Sequence, residues 1–449
     1  MNQRTRQAVA TTLQAGVGDR ILGIDLARGL AVIGMVAAHT VVPAFVVELR
    51  WTDPATWAGL VNGRSAILFV LLAGISLGIL TRERAGVLPE VAHFQNRRRV
   101  LVRAVYIGLA GGLLMCLGTP VIVILPVYAM LYLLALPVLR WSAKSLFMLA
   151  GTLAVLGPIF VAAIRASRDA GLLGDNWFLD LFAGLAFPIP VYGVYLVLGL
   201  ALSRLNLRDL RVTVRMLLVA LPISVIGYLV PALVTGEGVW ADQAPTGSTS
   251  SVLSSGVVAT PGQDAVWVST GSASIVQGGA SWGSLDGGSY DGEVYDTLAV
   301  WQQSFLADQG LRITAAPHSS SYFEMLGSGG FAVVVLALCL LATRLPVLRI
   351  ALGWLSAVGS MPLTAYAVHL LVLYLLGTLP GTVWFGEFAG LVDFLIVAGI
   401  VILFATVWRY TRGRGPLEQS ISQFSASILG DEATRLDGAS NEGASWRSA

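Results

Sequence analysis

The chain has 449 residues, of which 55 % are hydrophobic and only 12 % charged, with a formal net charge of +2. A soluble domain carries roughly 25 % charged residues, and a mean hydropathy of +0.75 describes more apolar surface than a soluble core of this length can enclose. A soluble globular enzyme is therefore excluded, and the small net charge gives no footprint for nucleic acid. With Gly 50 and Pro 18 the chain is neither fibrous nor compositionally disordered. What remains is an all-α polytopic membrane protein.

A crossing needs about 20 apolar residues. Ten stretches are expected to cross: 21–46, 58–80, 102–118, 120–139, 145–164, 186–203, 213–235, 321–343, 356–379 and 387–408. The third ends in Gly118-Thr119-Pro120, which predicts a tight hairpin, and the stretch from Asp175 to Pro190 has room for an interfacial helix. Residues 346–355 are expected partly at the cytosolic surface. The first apolar run carries Asp25 and Arg28 and lacks a small-residue cleavage site, so it reads as a span and not as a signal peptide.

Basic residues orient the chain. With a cytosolic N-terminus and ten spans, 22 of the 28 Lys and Arg residues lie inside, 4 lie outside (Arg50, Arg165, Arg168 and Arg312), and Arg28 and Arg64 fall within spans. The opposite orientation inverts that ratio, so the expectation is N-in, C-in. The layout follows as a cytosolic N-terminus (1–20), spans one to seven (21–235), an external segment (236–320), spans eight to ten (321–410) and a cytosolic tail (411–449). The external segment is rich in Gly, Ser, Thr and Asp and includes strand-like runs such as Ala265-Val266-Trp267-Val268. It reads as a partly ordered cap, or as a lid over an external acceptor site. In the tail, Leu417, Ile421, Phe424 and Ile428 recur at helical spacing and predict a short amphipathic surface helix, followed by a disordered end from 430.

Cys116 and Cys339 lie in apolar runs and read as small core residues, with no disulfide framework and no metal-ligand spacing. His93 falls in a basic stretch expected to be a solvated cytosolic loop.

Charge inside hydrocarbon costs at least ~2.5–3.5 kcal/mol per residue, so ionisable residues within spans are candidates for function. Asp25, Arg28 and His39 share one face of the first span. Eleven residues separate Arg28 from His39, about three turns and ~16 Å along the axis. That places a cation near the cytosol and a titratable base deeper on the same stripe. The bland alternative is an interfacial Asp25–Arg28 pair and a packed histidine. Arg64 enters the second span near its external end, where it serves a site or snorkels to the interface. Glu324 lies just inside the eighth span after His318-Ser319-Ser320-Ser321, His369 lies near the middle of the ninth after Thr364 and Tyr366, and Asp393 lies in the outer third of the tenth. Arg64, Glu324 and His369 are expected to converge with His39 on one interior cavity.

The stretch "GIDLARGLAVIGMVAAHT", with Arg28 and His39 flanking ten residues, resembles the arginine-x10-histidine signature of membrane acyltransferases of the acyltransferase family 3 type. It also resembles the first helix of the heparan-alpha-glucosaminide N-acetyltransferase group. The nearest resemblance is to the YeiB-like family, number 418 among the domains of unknown function. "NGRSAILFVLLAGISLGI" at 62–79 resembles its second helix. "PHSSSYFEMLGSGGFAVVV" at 317–335, "VGSMPLTAYAVHLLVLY" at 358–374 and "WRYTRGRGPLEQ" at 408–419 resemble its C-terminal half.

The resemblance implies an acyl donor, acyl-CoA (acetyl-CoA foremost), on the cytosolic side and a glycan or lipid-linked acceptor on the other. It implies His39 as the acid–base group and Arg28 as a donor-positioning cation; the polar residues within the spans add, independently of it, His369 as a second catalytic candidate and Asp25, Arg64, Glu324 and Tyr366 as binding candidates. An arginine fork suits phosphate or amide oxygens, and a neutral imidazole suits deprotonation of a hydroxyl or amine. Two departures stand out. His369 occupies a place where many relatives have glutamine. The first external loop, "WTDPATWAGL" at 51–60, also lacks the histidine proposed as catalytic in the heparan acetyltransferases.

The expected function is a multi-pass acyltransferase of the plasma (inner) membrane, in contact with lipid, with no metal and no nucleic-acid partner, and with its oligomeric state open. The alternatives are a transporter or lipid flippase, against which no inverted repeat is visible, and a non-catalytic protein of envelope assembly. On the N-in, C-in topology, a reporter fused after Ser250 is expected to read as extracytoplasmic. A cytosolic signal overturns the orientation.

Overall fold

The computed structural model describes residues 21–40, 60–81, 89–119, 121–174, 176–184, 186–235, 304, 306–308, 311–378 and 390–429. The expected cap, its strand-like run at 265–268, the loop at 51–59 and the tail beyond 429 lie outside the described residues.

The described residues are helical, with no strand among them. In chain order the helices are α1 (Leu22–Thr40), α2 (Arg64–Leu80), α3 (Pro89–Met115), α4 (Leu125–Ala135, extended by a 3₁₀ turn Leu136–Val138), α5 (Ala143–Asp169), α6 (Trp177–Ala183) and α7 (Ile189–Leu202). There follow α8 (Leu210–Thr235), α9 (Tyr322–Ala342), α10 (Pro346–Ala351), α11 (Gly353–Ser360), α12 (Pro362–Gly377), α13 (Leu391–Thr411) and α14 (Pro416–Leu429). Short polar side chains start several of them. Ser142 accepts from the Ser145 amide at 3.2 Å, Asn176 from Leu179 at 2.9 Å and Ser321 from Glu324 at 2.9 Å, each satisfying a first-turn N–H that has no helical partner. Beyond the end of α3, Gly118 has φ 65, the left-handed region that glycine adopts without a Cβ penalty, while Pro120 of the expected hairpin lies outside the described residues.

Among the described residues five helices, α1, α5, α8, α9 and α13, are long and apolar enough to cross a membrane. Against the ten expected spans, the described residues hold five full-length candidates, or six if α11 and α12 count as one. Helices α2, α4 and α7 are apolar but shorter. At 1.5 Å per residue, the 17 residues of α2 reach ~26 Å against a hydrocarbon core of ~30 Å. Helix α3 carries Arg97, Arg98, Arg99 and Arg103 in its own body and includes His93, so the expected cytosolic loop there is helical. Cys339 is buried as expected, whereas Cys116 is exposed and not a core residue.

The expected ninth span is broken. Helices α11 and α12 meet at 92°. Pro362 begins α12 and cannot donate a backbone hydrogen bond, and the residue before a proline is pushed out of the α region. Met361 accordingly sits at φ −135, ψ 59.

Small residues let the inner helices touch backbone to backbone, the packing mode of membrane bundles. A Cβ on Gly359 of α11 would stand 1.7 Å from the Asp25 carbonyl of α1, and one on Gly29 would stand 2.1 Å from the Leu355 carbonyl. The α2–α7 contact is reciprocal in the same way, with Gly74 against Leu196 and Gly199 against Leu71. In the α8–α9 contact, Gly227 meets Gly327 and Gly330 meets Ser224. Helices α1, α2, α7 and α9 thus form the buried centre, while α5, α8 and α13 turn side chains such as Val155, Leu218 and Leu403 outward as a lipid-facing surface. Gly359→Ala is expected to destabilise the detergent-solubilised protein by ~1–3 kcal/mol, the cost of overpacking. Gly399→Ala, on α13 with nothing within 4 Å of the new Cβ, is expected to leave thermal stability unchanged or slightly raised.

Candidate functional site

Helix α1 brings its polar stripe to two places. Near its start, Arg28 donates from Nη1 to Asp25 Oδ1 at 2.8 Å and from Nη2 to Ser76 Oγ of α2 at 2.7 Å. Arg28 borders a cavity of about 260 Å³ whose polar lining includes Ser76, Arg103, Tyr128, Tyr132 and Glu418. Two guanidinium groups and several hydroxyls therefore face one space, a donor set suited to a polyanionic ligand. Arg103, a cytosolic charge by the count of basic residues, joins Arg28 at this cavity; its signal in the sequence is a cation one turn beyond the Arg97–Arg99 run, already on the apolar part of α3.

At the other end of α1, His39 meets His369 of α12. His39 Nδ1 and His369 Nε2 lie 3.2 Å apart, and the rings stack at 12° with centroids 5.4 Å apart. The partners stand 330 residues apart in the chain. Tyr366, one turn before His369, lies edge-on to it at 4.8 Å and stacks on Phe69 at 6.4 Å. Phe69 in turn lines the cavity. A ring contact thus runs from the cavity wall through Phe69 and Tyr366 to the histidine pair. Tyr366 is also fixed by the Ile124 amide, which donates to its hydroxyl at 3.4 Å.

A third polar cluster lies at the start of α2 and α9. Arg64 Nε donates to Tyr228 Oη at 2.7 Å, and that hydroxyl is 2.9 Å from Ser328 Oγ. Four residues before Ser328 on α9, Glu324 accepts from the amides of His318 and Ser320, both at 2.7 Å, and from Ser319 Oγ at 3.2 Å. His318 and Ser320 both have φ 62, a strained conformation for residues with a Cβ, and the carboxylate holds their N–H groups in it. His318 Nδ1 lies 2.9 Å from the Ala186 carbonyl oxygen.

Of the four residues expected to converge, His369 meets His39 directly, while Arg64 bonds Tyr228 and Glu324 bonds the 318–320 turn. The cavity beside Arg28 is lined by none of the four. None of the three faces lipid: Arg64 and Glu324 are each 3 % exposed and His369 is 0 % exposed. Asp393 stands in the first turn of α13, half-exposed and outside all three clusters.

The helices define a multi-pass membrane protein. Residues 20–230 match the family model described as heparan-alpha-glucosaminide N-acetyltransferase, catalytic, and residues 297–425 match the one described as protein of unknown function (DUF418). Together the two matches are consistent with a YeiB-like family related to the heparan-alpha-glucosaminide N-acetyltransferases. Comparison with curated proteins and with solved structures returned no match. Arg28, His39 and Arg64 fall in the first matched region, while Glu324, Tyr366, His369 and Glu418 fall in the second, so the histidine pair joins the two.

Glu324→Ala removes the acceptor of two strained amides, and about 1–3 kcal/mol of stability per unsatisfied amide is expected to go with it. Glu324→Gln, which keeps one carbonyl oxygen, is expected to lose less. Chemical denaturation in detergent checks the order.

Proposed function

We propose that the protein is an acyltransferase of the plasma membrane, moving an acyl group from cytosolic acyl-CoA, acetyl-CoA foremost, to a hydroxyl or amine of an extracytoplasmic glycan or lipid-linked acceptor. The observation that carries this reading is the path along α1, from a two-arginine cavity at one end to a histidine pair at the other, with Phe69 and Tyr366 between them. The match to an acetyltransferase catalytic region over the stretch that supplies Arg28 and His39 supports it.

In this reading Arg28 and Arg103 hold the phosphates or pantetheine amides of the donor, with Arg28 oriented by Asp25 and Ser76. Two imidazoles at hydrogen-bond distance cannot both donate to each other. The neutral pair has His39 Nδ1–H donating to His369 Nε2, a tautomer inferred from the contact, which leaves His39 Nε2 unprotonated. That nitrogen takes the proton of the acceptor hydroxyl or amine as the acceptor atom bonds to the thioester carbonyl carbon. When the carbon–sulfur bond breaks, the proton passes to the departing sulfur, giving the acylated acceptor and free CoA thiol. His369 acts through His39, fixing its tautomer and ring plane. Arg64 and Glu324 shape the outer side, where the acceptor approaches.

The break between α11 and α12 favours a second reading. Interrupted membrane helices recur in transporters. Binding of acetyl-CoA by the purified protein separates the two, because only the acyltransferase requires it.

His39→Ala is expected to lower acyl transfer by about 10²–10⁴-fold, the usual contribution of a general base, while leaving acyl-CoA affinity nearly intact. Arg28→Ala is expected to weaken donor binding, and Arg28→Lys to restore it only in part, since lysine lacks the planar fork. Acyl-CoA affinity in detergent and transfer in vesicles are the measurements. Near-wild-type transfer by His39→Ala removes the main residue of the assignment.

A further inference from the structure

The C-terminal helix α14 carries the predicted amphipathic face, yet it is tied into the bundle by its charged side. Glu418 accepts from the Leu363 amide at 2.8 Å, from the Thr364 amide at 3.2 Å and from Thr364 Oγ1 at 2.5 Å. Thr364 Oγ1 in turn accepts from the Leu417 amide at 3.1 Å. Both amides belong to the first turn of α12, just after the break at Met361–Pro362, where no carbonyl of the same helix can reach them. A carboxylate is also favoured at that positive helix end.

The approach is close. A Cβ on Gly415 would stand 2.2 Å from Glu418 Oε2 and 2.5 Å from Met361 Cβ. On its other side α14 is held by Tyr106 of α3, which hydrogen-bonds Ser420 and packs on Phe424 at 5.7 Å. Glu418 and Ile421 also line the cavity that Arg28 and Arg103 face. One carboxylate therefore walls the cavity and caps the helix that carries His369.

We propose that Glu418 is a positioning residue of the acyl-transfer site: it makes α14 a wall of the donor cavity and, by capping α12, sets His369 relative to the bound donor. This rests on the acyltransferase reading.

The test titrates acetyl-CoA into the full-length protein in lipid nanodiscs while amide hydrogen exchange is followed. In the wild type, acetyl-CoA is expected to slow exchange across 416–429. Glu418→Ala is expected to raise exchange at Leu363 and Thr364 and to weaken acetyl-CoA affinity by about tenfold, the scale of a lost hydrogen bond to a charged group. Glu418→Gln keeps an acceptor oxygen at the same reach, so it is expected to restore most of both and to remain folded should Glu418→Ala not. Ile428→Ala, exposed near the end of α14, is expected to change neither. The proposal is overturned if loosening α12 leaves acetyl-CoA affinity at the wild-type value, or if bound acetyl-CoA leaves α14 exchange unchanged. Failure of the wild type to bind acetyl-CoA at all instead overturns the donor reading on which the proposal rests.

Discussion

A charged group that enters the helical bundle must find its partner inside it, because hydrocarbon offers none. That constraint organises the whole of the described structure. Arg28 is met by Asp25 and Ser76, Arg64 by Tyr228, Glu324 by the 318–320 turn, and His39 by His369. The Arg64–Tyr228 and His39–His369 pairings join helices distant in the chain, and Arg28–Ser76 joins the consecutive helices α1 and α2. Packing brings these helices side by side, and the charges take the partners it offers.

The glycine contacts make those pairings reachable. Where α1 crosses α11, and where α2 crosses α7, backbones meet at distances that exclude a Cβ. With backbones that close, short side chains such as Ser76 and Ser328 can bridge neighbouring helices without water. The same closeness puts the ring series Phe69, Tyr366 and His369 into continuous contact. The cost is intolerance: a helix crossing built on glycine cannot accept even a methyl group without moving.

The break before Pro362 carries a second consequence of the constraint. A helix that restarts within the bundle exposes first-turn amides that a continuous span would have bonded internally. The protein meets them with Glu418, borrowed from a helix that by composition belongs to the membrane surface. The two matched regions of the chain, 20–230 and 297–425, meet both here, through α14 against α3, and at the histidine pair.

Composition and periodicity alone determined that this is a helical membrane protein, that Arg28 and His39 share a stripe of the first helix, that Gly118 turns the chain and that 416–429 is amphipathic. These are local properties, fixed by 3.6-residue spacing, by the lack of charge and by the one residue type that tolerates positive φ. Only the tertiary structure decided which charges belong together. His369 faces His39 across 330 residues, Arg64 bonds Tyr228 across 164, and Glu418 of the C-terminal helix caps α12. The physical reason is that burial makes any sufficiently near partner acceptable, and nearness across helices is set by packing. A span read from hydropathy also conceals its own break, since Pro362 is as apolar as its neighbours and shows its effect only where a backbone N–H is missing.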